Sequence, residues 1–168
     1  MKNYTSYDLI EWGKPFEKSQ HALPEPTLSE VLIRVTAAGL CHSDLHVQKG
    51  YMDLGEEGRL TFAERGAQLP MTFGHEIAGI VEAIGDKVKN VSIGQQVIVF
   101  PWIGCGDCLA CNEDRESDCS AMRIIGLKQK GGFATHCLIE NEKFLVNIDG
   151  LDAAEVIPHA CSGITVYN

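Results

Sequence analysis

Four cysteines within fifteen residues are the part of this sequence with the clearest capacity for chemistry. Cys105, Cys108, Cys111 and Cys119 follow the spacing C-x2-C-x2-C-x7-C. Thiolates this close together cannot all be core residues of one regular element, but they can surround one soft cation. Zinc takes four sulfur ligands tetrahedrally, and a site with every position filled is structural rather than catalytic.

A pair of disulfides and an iron–sulfur cluster are the alternative interpretations of this segment. The chain holds seven cysteines, an odd number that fits a disulfide framework poorly. Loop formers and charged residues such as Asn112, Glu113 and Asp118 fill the segment, so it has almost no core of its own. We therefore favour a lobe tied together by zinc, which we call the zinc lobe (residues 105–119), with both alternatives still open.

Cys41, His75 and Cys161 form a second candidate set, at a predicted strand end, strand start and helix start. They are far apart in the sequence, so their spacing does not show that they meet. A lone cysteine is usually a small buried apolar residue, and His75 could be a core histidine with its hydrogen bonds satisfied. The residues alone leave a three-ligand metal site and a purely structural interpretation both open.

The elements that must position these residues are mostly short strands separated by glycine. Alternation puts Val31 and Ile33 on one face of the strand at 30–38 and Leu32 on the other. Residues 49–70 are interpreted as a surface excursion with a short helix near 62–65. This pattern is typical of a small barrel or sandwich. Further strands are predicted at 3–10, 77–84, 96–100, 133–139 and 143–148, and helices begin near Asp152 and Cys161.

Composition excludes several partners. The formal net charge is −9 and no basic cluster is visible, which argues against nucleic acid and against an anionic membrane surface. No apolar run approaches the roughly 20 residues that span a bilayer. A reducing, cytoplasmic setting is the default expectation.

Four motifs together resemble the zinc-containing medium-chain alcohol dehydrogenases. They are GLCHSDLH (39–46), GHEIAGIVEAIG (74–85), the zinc lobe and CSGITVY (161–167), and they occur in that family's order. The resemblance runs from about residue 4 to 168. It implies a mainly β fold, a GroES-like β-barrel with short helices and a zinc-tied lobe.

The resemblance also implies two zinc ions. One is catalytic and held by Cys41, His75 and Cys161; the other is structural and held by the four cysteines of the lobe. Three protein ligands leave a position for an alcohol, which would lose its proton near neutral pH, as zinc-bound water does at a pKa of about 7. Hydride would then pass from the zinc-bound alkoxide to NAD or NADP, giving an aldehyde or ketone. Cys161, where polyol dehydrogenases commonly have a carboxylate, favours an alcohol or aldehyde as substrate.

Further roles are implied residue by residue. Ser43 matches the hydroxyl that bonds the alcohol, and His46 matches the end of the proton relay. Asp44 matches the acid that orients the zinc-binding histidine, and Glu76 matches a carboxylate behind the zinc. The cofactor and substrate are expected to meet three other residues: His42 at the pyrophosphate, Thr165 on the nicotinamide side, and Trp102 in the substrate pocket.

The family's dinucleotide-binding Rossmann domain, with its G-x-G-x-x-G motif, is absent from these residues. We expect a zinc-binding catalytic domain at 1–150, followed at 151–168 by linker helices leading toward that domain. The chain would then be an N-terminal piece, inactive alone and a homo-oligomer when complete. The alternative is a non-catalytic, zinc-binding GroES-like module with a structural or interaction role.

Overall fold

The computed structural model describes residues 2–167, which are mainly β-structure. The helices are short: α1 (His42–Lys49), α2 (Leu109–Asn112), α3 (Ala153–Val156) and α4 (Ser162–Tyr167), with 3-10 turns at Gly55–Glu57, Glu116–Asp118, Glu142–Phe144 and Ile157–Ala160. The strands are β1 (Asn3–Leu9), β2 (Glu17–Ala22), β3 (Val31–Gly39), β4 (Tyr51–Asp53), β5 (Arg59–Thr61), β6 (Met71–Thr72), β7 (Glu76–Ile84), β8 (Gln96–Val99), β9 (Trp102–Ile103), β10 (Arg123–Ile124), β11 (His136–Ile139) and β12 (Leu145–Asn147).

A five-stranded antiparallel sheet, in the order β11-β3-β7-β8-β12, carries the main core. Val31, Ile33 and Ile77 are fully buried in it. Gly79 allows β3 and β7 to approach closely, since a Cβ there would lie 2.4 Å from the carbonyl oxygen of Arg34. The sheet therefore fixes the starting point of β7, where His75 and Glu76 lie.

A smaller sheet, β2-β1-β6, and a second apolar cluster hold helix α1 in place. Val47 of α1 packs with Leu9, Phe62 and Phe73 in this cluster. Helix α1 starts directly after β3, and Gly50 ends it with a left-handed backbone at φ +89°. Both ends of the segment that carries Cys41 to His46 are thus fixed by packing.

The last described residues fold back onto the large sheet. Ile157 and Ala160 are buried against Ala78 and Ile98, which belong to β7 and β8. Asp152 begins this segment as an N-cap, with its side chain accepting a hydrogen bond from the Ala154 N–H at 2.8 Å. This packing carries Cys161 to the end of the sheet where β7 begins. No helix within residues 2–167 is long and apolar enough to cross a membrane.

The mainly β class predicted from the sequence is confirmed, with one local correction. Val31 and Ile33 pack in the main core and Leu32 lies outside that cluster, as the alternation predicts, but Leu32 is only 2 % exposed, so its face of the strand is covered as well. The short helix expected near 62–65 is wrong. That segment is a turn in which Gly66, at φ +86°, sends the chain back so that the Ala67 N–H donates to the Phe62 carbonyl. The excursion before it contains the unpredicted hairpin β4–β5.

Candidate metal centres and active-site cavity

The four cysteines of the zinc lobe converge on one point. Their Sγ atoms all lie within 4.8 Å of one another. Cys111 Sγ is 3.5 Å from Cys108 Sγ and 4.0 Å from Cys105 Sγ. Tetrahedral zinc with sulfur at about 2.3 Å requires sulfur–sulfur distances of roughly 3.8 Å. The four sulfurs therefore have the separation that one zinc ion needs.

The backbone of the lobe is shaped to bring these sulfurs together. Cys108 is the N-cap of α2, which places Cys111 one turn further on. Gly106 has φ +86°, a left-handed conformation that a side chain would disfavour. At Gly104 a Cβ would lie 2.5 Å from Cys111 Sγ, inside the space that the sulfur occupies. The glycines thus clear room for the cluster.

The thiols of the lobe differ in their readiness to ionise. The backbone N–H groups of Asp107 and Cys108 lower the pKa of Cys105 to about 6. The N–H of Gly106 favours the Cys111 thiolate, but desolvation and the three cysteine neighbours outweigh it and raise the pKa of Cys111 to about 12. Four thiolates at this spacing repel one another. A divalent cation among them removes that repulsion, and its binding releases the remaining protons.

Three separate elements assemble the second site. Cys41 is the N-cap of α1, His75 and Glu76 lie at the start of β7, and Cys161 precedes α4. One ligand atom from each of these four residues lies within 4.8 Å of the others, and the two sulfurs are 3.9 Å apart. A Cβ at Gly39 would lie 2.0 Å from Glu76 Oε2, so glycine is needed for the carboxylate to fit. Two sulfurs and one imidazole suit zinc, and they leave a fourth position that the Glu76 carboxylate or an added ligand can take.

Asp44 links two of these ligand residues. It is 3 % exposed, and its Oδ2 accepts a hydrogen bond from the Cys41 N–H at 3.0 Å. Its Oδ1 lies 3.5 Å from His75 Nδ1. Burial opposes protonation of His75, but the carboxylate of Asp44 and the thiol of Cys41 outweigh it and raise the pKa of His75. With Nδ1 directed at Asp44, Nε2 is the ring nitrogen left to bind a metal.

The ionisable groups around His75 have shifted pKa values with distinct causes. Burial opposes ionisation of Cys41, yet the N–H and hydroxyl of Ser43 lower the pKa of Cys41. Burial and the neighbouring Cys41 raise the pKa of Cys161 to about 12. Burial also raises the pKa of Glu76. Only a cation between the two sulfurs would favour both thiolates together.

A cavity of about 210 Å³ opens beside these ligands, and we call it the active-site cavity. Ser43, His75 and Cys161 line it on one side, and Ser43 Oγ lies 3.7 Å from Cys41 Sγ. Trp102 lines both this cavity and a neighbouring one of about 330 Å³ that Thr165 also lines. The structure therefore brings Ser43 and Trp102 to the metal-ligating residues.

The two histidines of α1 lie away from this cavity wall. His42 is exposed, and its ring centroid is 4.8 Å from that of His46. Neither ring lines the active-site cavity, and no hydrogen bond joins Ser43 to His46 within residues 2–167. Their predicted contacts with cofactor and proton therefore remain predictions.

Sequence reasoning missed most of the apolar wall of the active-site cavity. Met52 and Phe62 come from the excursion around β4 and β5, and Ile124 and Leu127 come from the segment after the zinc lobe. None of the four belongs to a recognisable motif, and the excursion shows no clean periodicity. Only the packing of Phe62 against α1 and β1 residues shows that the excursion faces the site.

Comparison with known proteins agrees with the fold. The family model described as the alcohol dehydrogenase GroES-like domain matches residues 27–150 of the sequence. The chain is 41 % identical over 160 residues to an NAD-dependent alcohol dehydrogenase of Sulfurisphaera tokodaii, covering 95 % of this chain and 45 % of that protein. The corresponding enzyme of Saccharolobus solfataricus is 40 % identical over the same share of each chain.

A solved structure shows the same architecture. The D-arabinose dehydrogenase from Sulfolobus solfataricus superposes with a TM-score of 0.81 at 30 % identity, covering 98 % of this chain and 46 % of that one. The chain thus spans about 45 % of the length of the curated relatives it matches. It belongs to the zinc-containing medium-chain alcohol dehydrogenase family, and its residues 27–150 match the family's GroES-like domain.

Proposed function

We propose that this chain is the catalytic-domain portion of a zinc-dependent alcohol dehydrogenase that transfers hydride between an alcohol and NAD or NADP. The observation that carries the proposal is the convergence of Cys41, His75 and Cys161 beside a hydroxyl and an apolar cavity. When bound there, zinc supplies a Lewis acid that lowers the pKa of an alcohol hydroxyl. Zinc at the four-cysteine lobe has a structural role in this proposal.

The chain's own residues would manage the proton that leaves the alcohol. Ser43 Oγ borders the active-site cavity and lies beside Cys41 Sγ. From this position it can accept a hydrogen bond from the hydroxyl of the alcohol. His46 lies one turn further along α1 and would pass the proton to solvent. No hydrogen bond joins the two within residues 2–167, so the relay needs a water or a ligand hydroxyl between them.

Two carboxylates would hold the site in order. Asp44 fixes the His75 ring through Nδ1 and the start of α1 through the Cys41 N–H, so it positions two ligands at once. Buried Glu76 provides a further oxygen near the same point. His42 and Thr165 are proposed to contact the dinucleotide, because both are exposed near the site.

Substrate would be oriented by the apolar side of the active-site cavity. Trp102, Met52 and Phe62 line the same cavity as Ser43 and Cys161. Such a wall binds the carbon skeleton of an alcohol and keeps bulk water away from the reacting carbon. A primary or secondary alcohol, or the matching aldehyde or ketone, is the substrate class that fits.

Metal content and cofactor reduction test this proposal. We expect two zinc ions per chain, and one zinc would fit the lobe alone. NAD and NADP reduction is measured with primary, secondary and benzylic alcohols, using the chain alone and joined to a dinucleotide-binding domain. Cys137→Ala is the matched control for Cys41→Ser, because Cys137 is a buried thiol outside both clusters. Failure of the joined protein on every alcohol and aldehyde would leave the non-catalytic zinc module as the better interpretation.

A further inference from the structure

A second cavity adjoins the active-site cavity behind a shared wall. It has a volume of about 340 Å³ and lies between the excursion and the zinc lobe, and we call it the distal cavity. Four apolar side chains line both cavities, so these side chains form the partition between them. They are Met52, Phe62, Ile124 and Leu127.

The distal cavity has an apolar lining and two cations. Leu60, Ala67 and Met122 extend the apolar surface. Arg65 and Lys128 also line it, and both are exposed residues, which puts charge at its rim. The partition therefore separates the active-site cavity, which contains the candidate metal ligands, from a distal cavity that carries two positive charges.

These two cations make no ion pair within residues 2–167, as is true of most lysines and arginines of the chain, whereas five others do. Arg123 pairs with Glu140 at 2.6 Å, and Arg115 pairs with Glu113 at 2.7 Å. Within residues 2–167 no carboxylate oxygen lies within 4.0 Å of the charged nitrogens of Arg65 or Lys128. What sets Arg65 and Lys128 apart is that both line the same cavity, and two cations at one cavity favour an anionic ligand.

We propose that the two cavities together bind an amphipathic alcohol whose hydroxyl end lies at the metal ligands and whose far end carries a carboxylate. The hydrocarbon chain passes the Met52–Phe62 partition, and the carboxylate lies between Arg65 and Lys128. This inference rests on the proposed function for the hydroxyl end. It adds a substrate class and assigns Arg65 and Lys128 as specificity-determining residues.

Binding of matched ligands to the zinc-loaded chain tests the proposal without needing turnover. The probes are 1-octanol, octanoate and 8-hydroxyoctanoate, with the six- and ten-carbon hydroxy acids as length variants, measured by calorimetry. We expect 8-hydroxyoctanoate or one of its length variants to bind more tightly than the alcohol of equal length. Each cation should contribute about two- to fivefold, the usual range for an exposed ion pair.

Arg65→Ala and Lys128→Ala should each lower the affinity for the hydroxy acid and leave that for the alcohol unchanged. Lys87→Ala is the control, because Lys87 lies in a distant turn and lines neither cavity. Met52→Trp should narrow the gap between the two cavities and weaken the binding of long ligands more than that of 1-butanol. Circular dichroism checks its folding, and the two cation variants give an answer even where Met52→Trp unfolds.

Two results would overturn the proposal: equal affinities of hydroxy acid and alcohol at every length, or a carboxylate preference that survives in the Arg65, Lys128 double variant. Tighter, zinc-dependent binding of octanoate would also overturn it, by showing the carboxylate at the metal. The proposed function is tested separately, by whether the hydroxyl contributes to binding only when zinc is present.

Discussion

The two metal-ligating clusters differ in how the chain builds them. The zinc lobe draws all its sulfurs from residues 105–119, whereas Cys41 and Cys161 are 120 positions apart and meet only through β7 and the packed C-terminal helices. A local cluster with little core depends on its metal for structure. A cluster placed by a buried sheet does not, and this is the cluster for which we propose a catalytic role.

The largest expected effect is loss of stability from Cys111→Ser. Structural zinc contributes roughly 10–16 kcal/mol in zinc-finger peptides at pH 7, so even partial loss should unfold the lobe. We expect a large fall in melting temperature and easy proteolysis near residues 105–119. Calorimetry and limited proteolysis measure this, with Cys137→Ala as the control. An unchanged melting temperature would show that metal binding at the lobe does not stabilise the fold.

His75→Ala should show the opposite pattern. In the chain joined to a dinucleotide-binding domain, His75→Ala should lower activity by more than about 10- to 100-fold, because that is the usual loss when only a residue hydrogen-bonded to a metal ligand is mutated. The melting temperature should change little, because Ile77 and Val81 hold β7 without the metal. Initial rates and thermal melts are compared on the same samples. Equal thermal effects of His75→Ala and Cys111→Ser would break the division between the two clusters.

Asp44→Asn should produce an intermediate effect. It removes a negative charge 3.5 Å from His75 Nδ1 but retains a side chain that can accept from the Cys41 N–H. We expect zinc affinity at the second cluster to fall about 10- to 100-fold, as is usual when a residue hydrogen-bonded to a metal ligand is mutated. Competition with a chromogenic chelator measures it. The zinc of the lobe, which Asp44 does not contact, serves as the internal control.

The smallest effect is expected outside both clusters, at Asp8. This buried carboxylate accepts a hydrogen bond from Thr72 at 2.6 Å and lies 3.1 Å from His21 Nε2. Burial opposes its ionisation, but hydrogen bonds led by that from Thr72 lower the pKa of Asp8 below its ordinary value of 3.8. Its stabilising contribution is therefore present above about pH 4 and is lost as the pH falls through the lowered pKa.

Asp8→Asn should accordingly cost about 1.5–3 kcal/mol of unfolding free energy at neutral pH, the scale of hydrogen bonds to a charged group. The difference from the parent chain should disappear in strong acid. Urea unfolding at several pH values, with zinc held saturating at the neutral points, separates this contribution from metal loss. A constant difference at all pH values would show that ionisation of Asp8 is not its source.

Much of the strand pattern could be predicted from the sequence, because alternation and glycine breaks are local signals. Leu32 shows the limit, since alternation gives its face of the strand but not whether other residues cover that face. Met52 and Phe62 show it again. Their role depends on where the 51–61 hairpin folds, and its pairing has no periodic signature of its own.

By itself the sequence determined that Cys105, Cys108 and Cys111 lie close together, because two-residue gaps between cysteines limit how far the sulfurs can separate whatever the rest of the chain does. Its motifs also determined the family. Only the tertiary structure decided that Cys41, His75, Glu76 and Cys161 meet, since burial of Ile157 and Ala160 against the sheet brings the last ligand to the first. The fold likewise decided that an apolar partition and two uncompensated cations lie beyond them, because those side chains come together through packing alone.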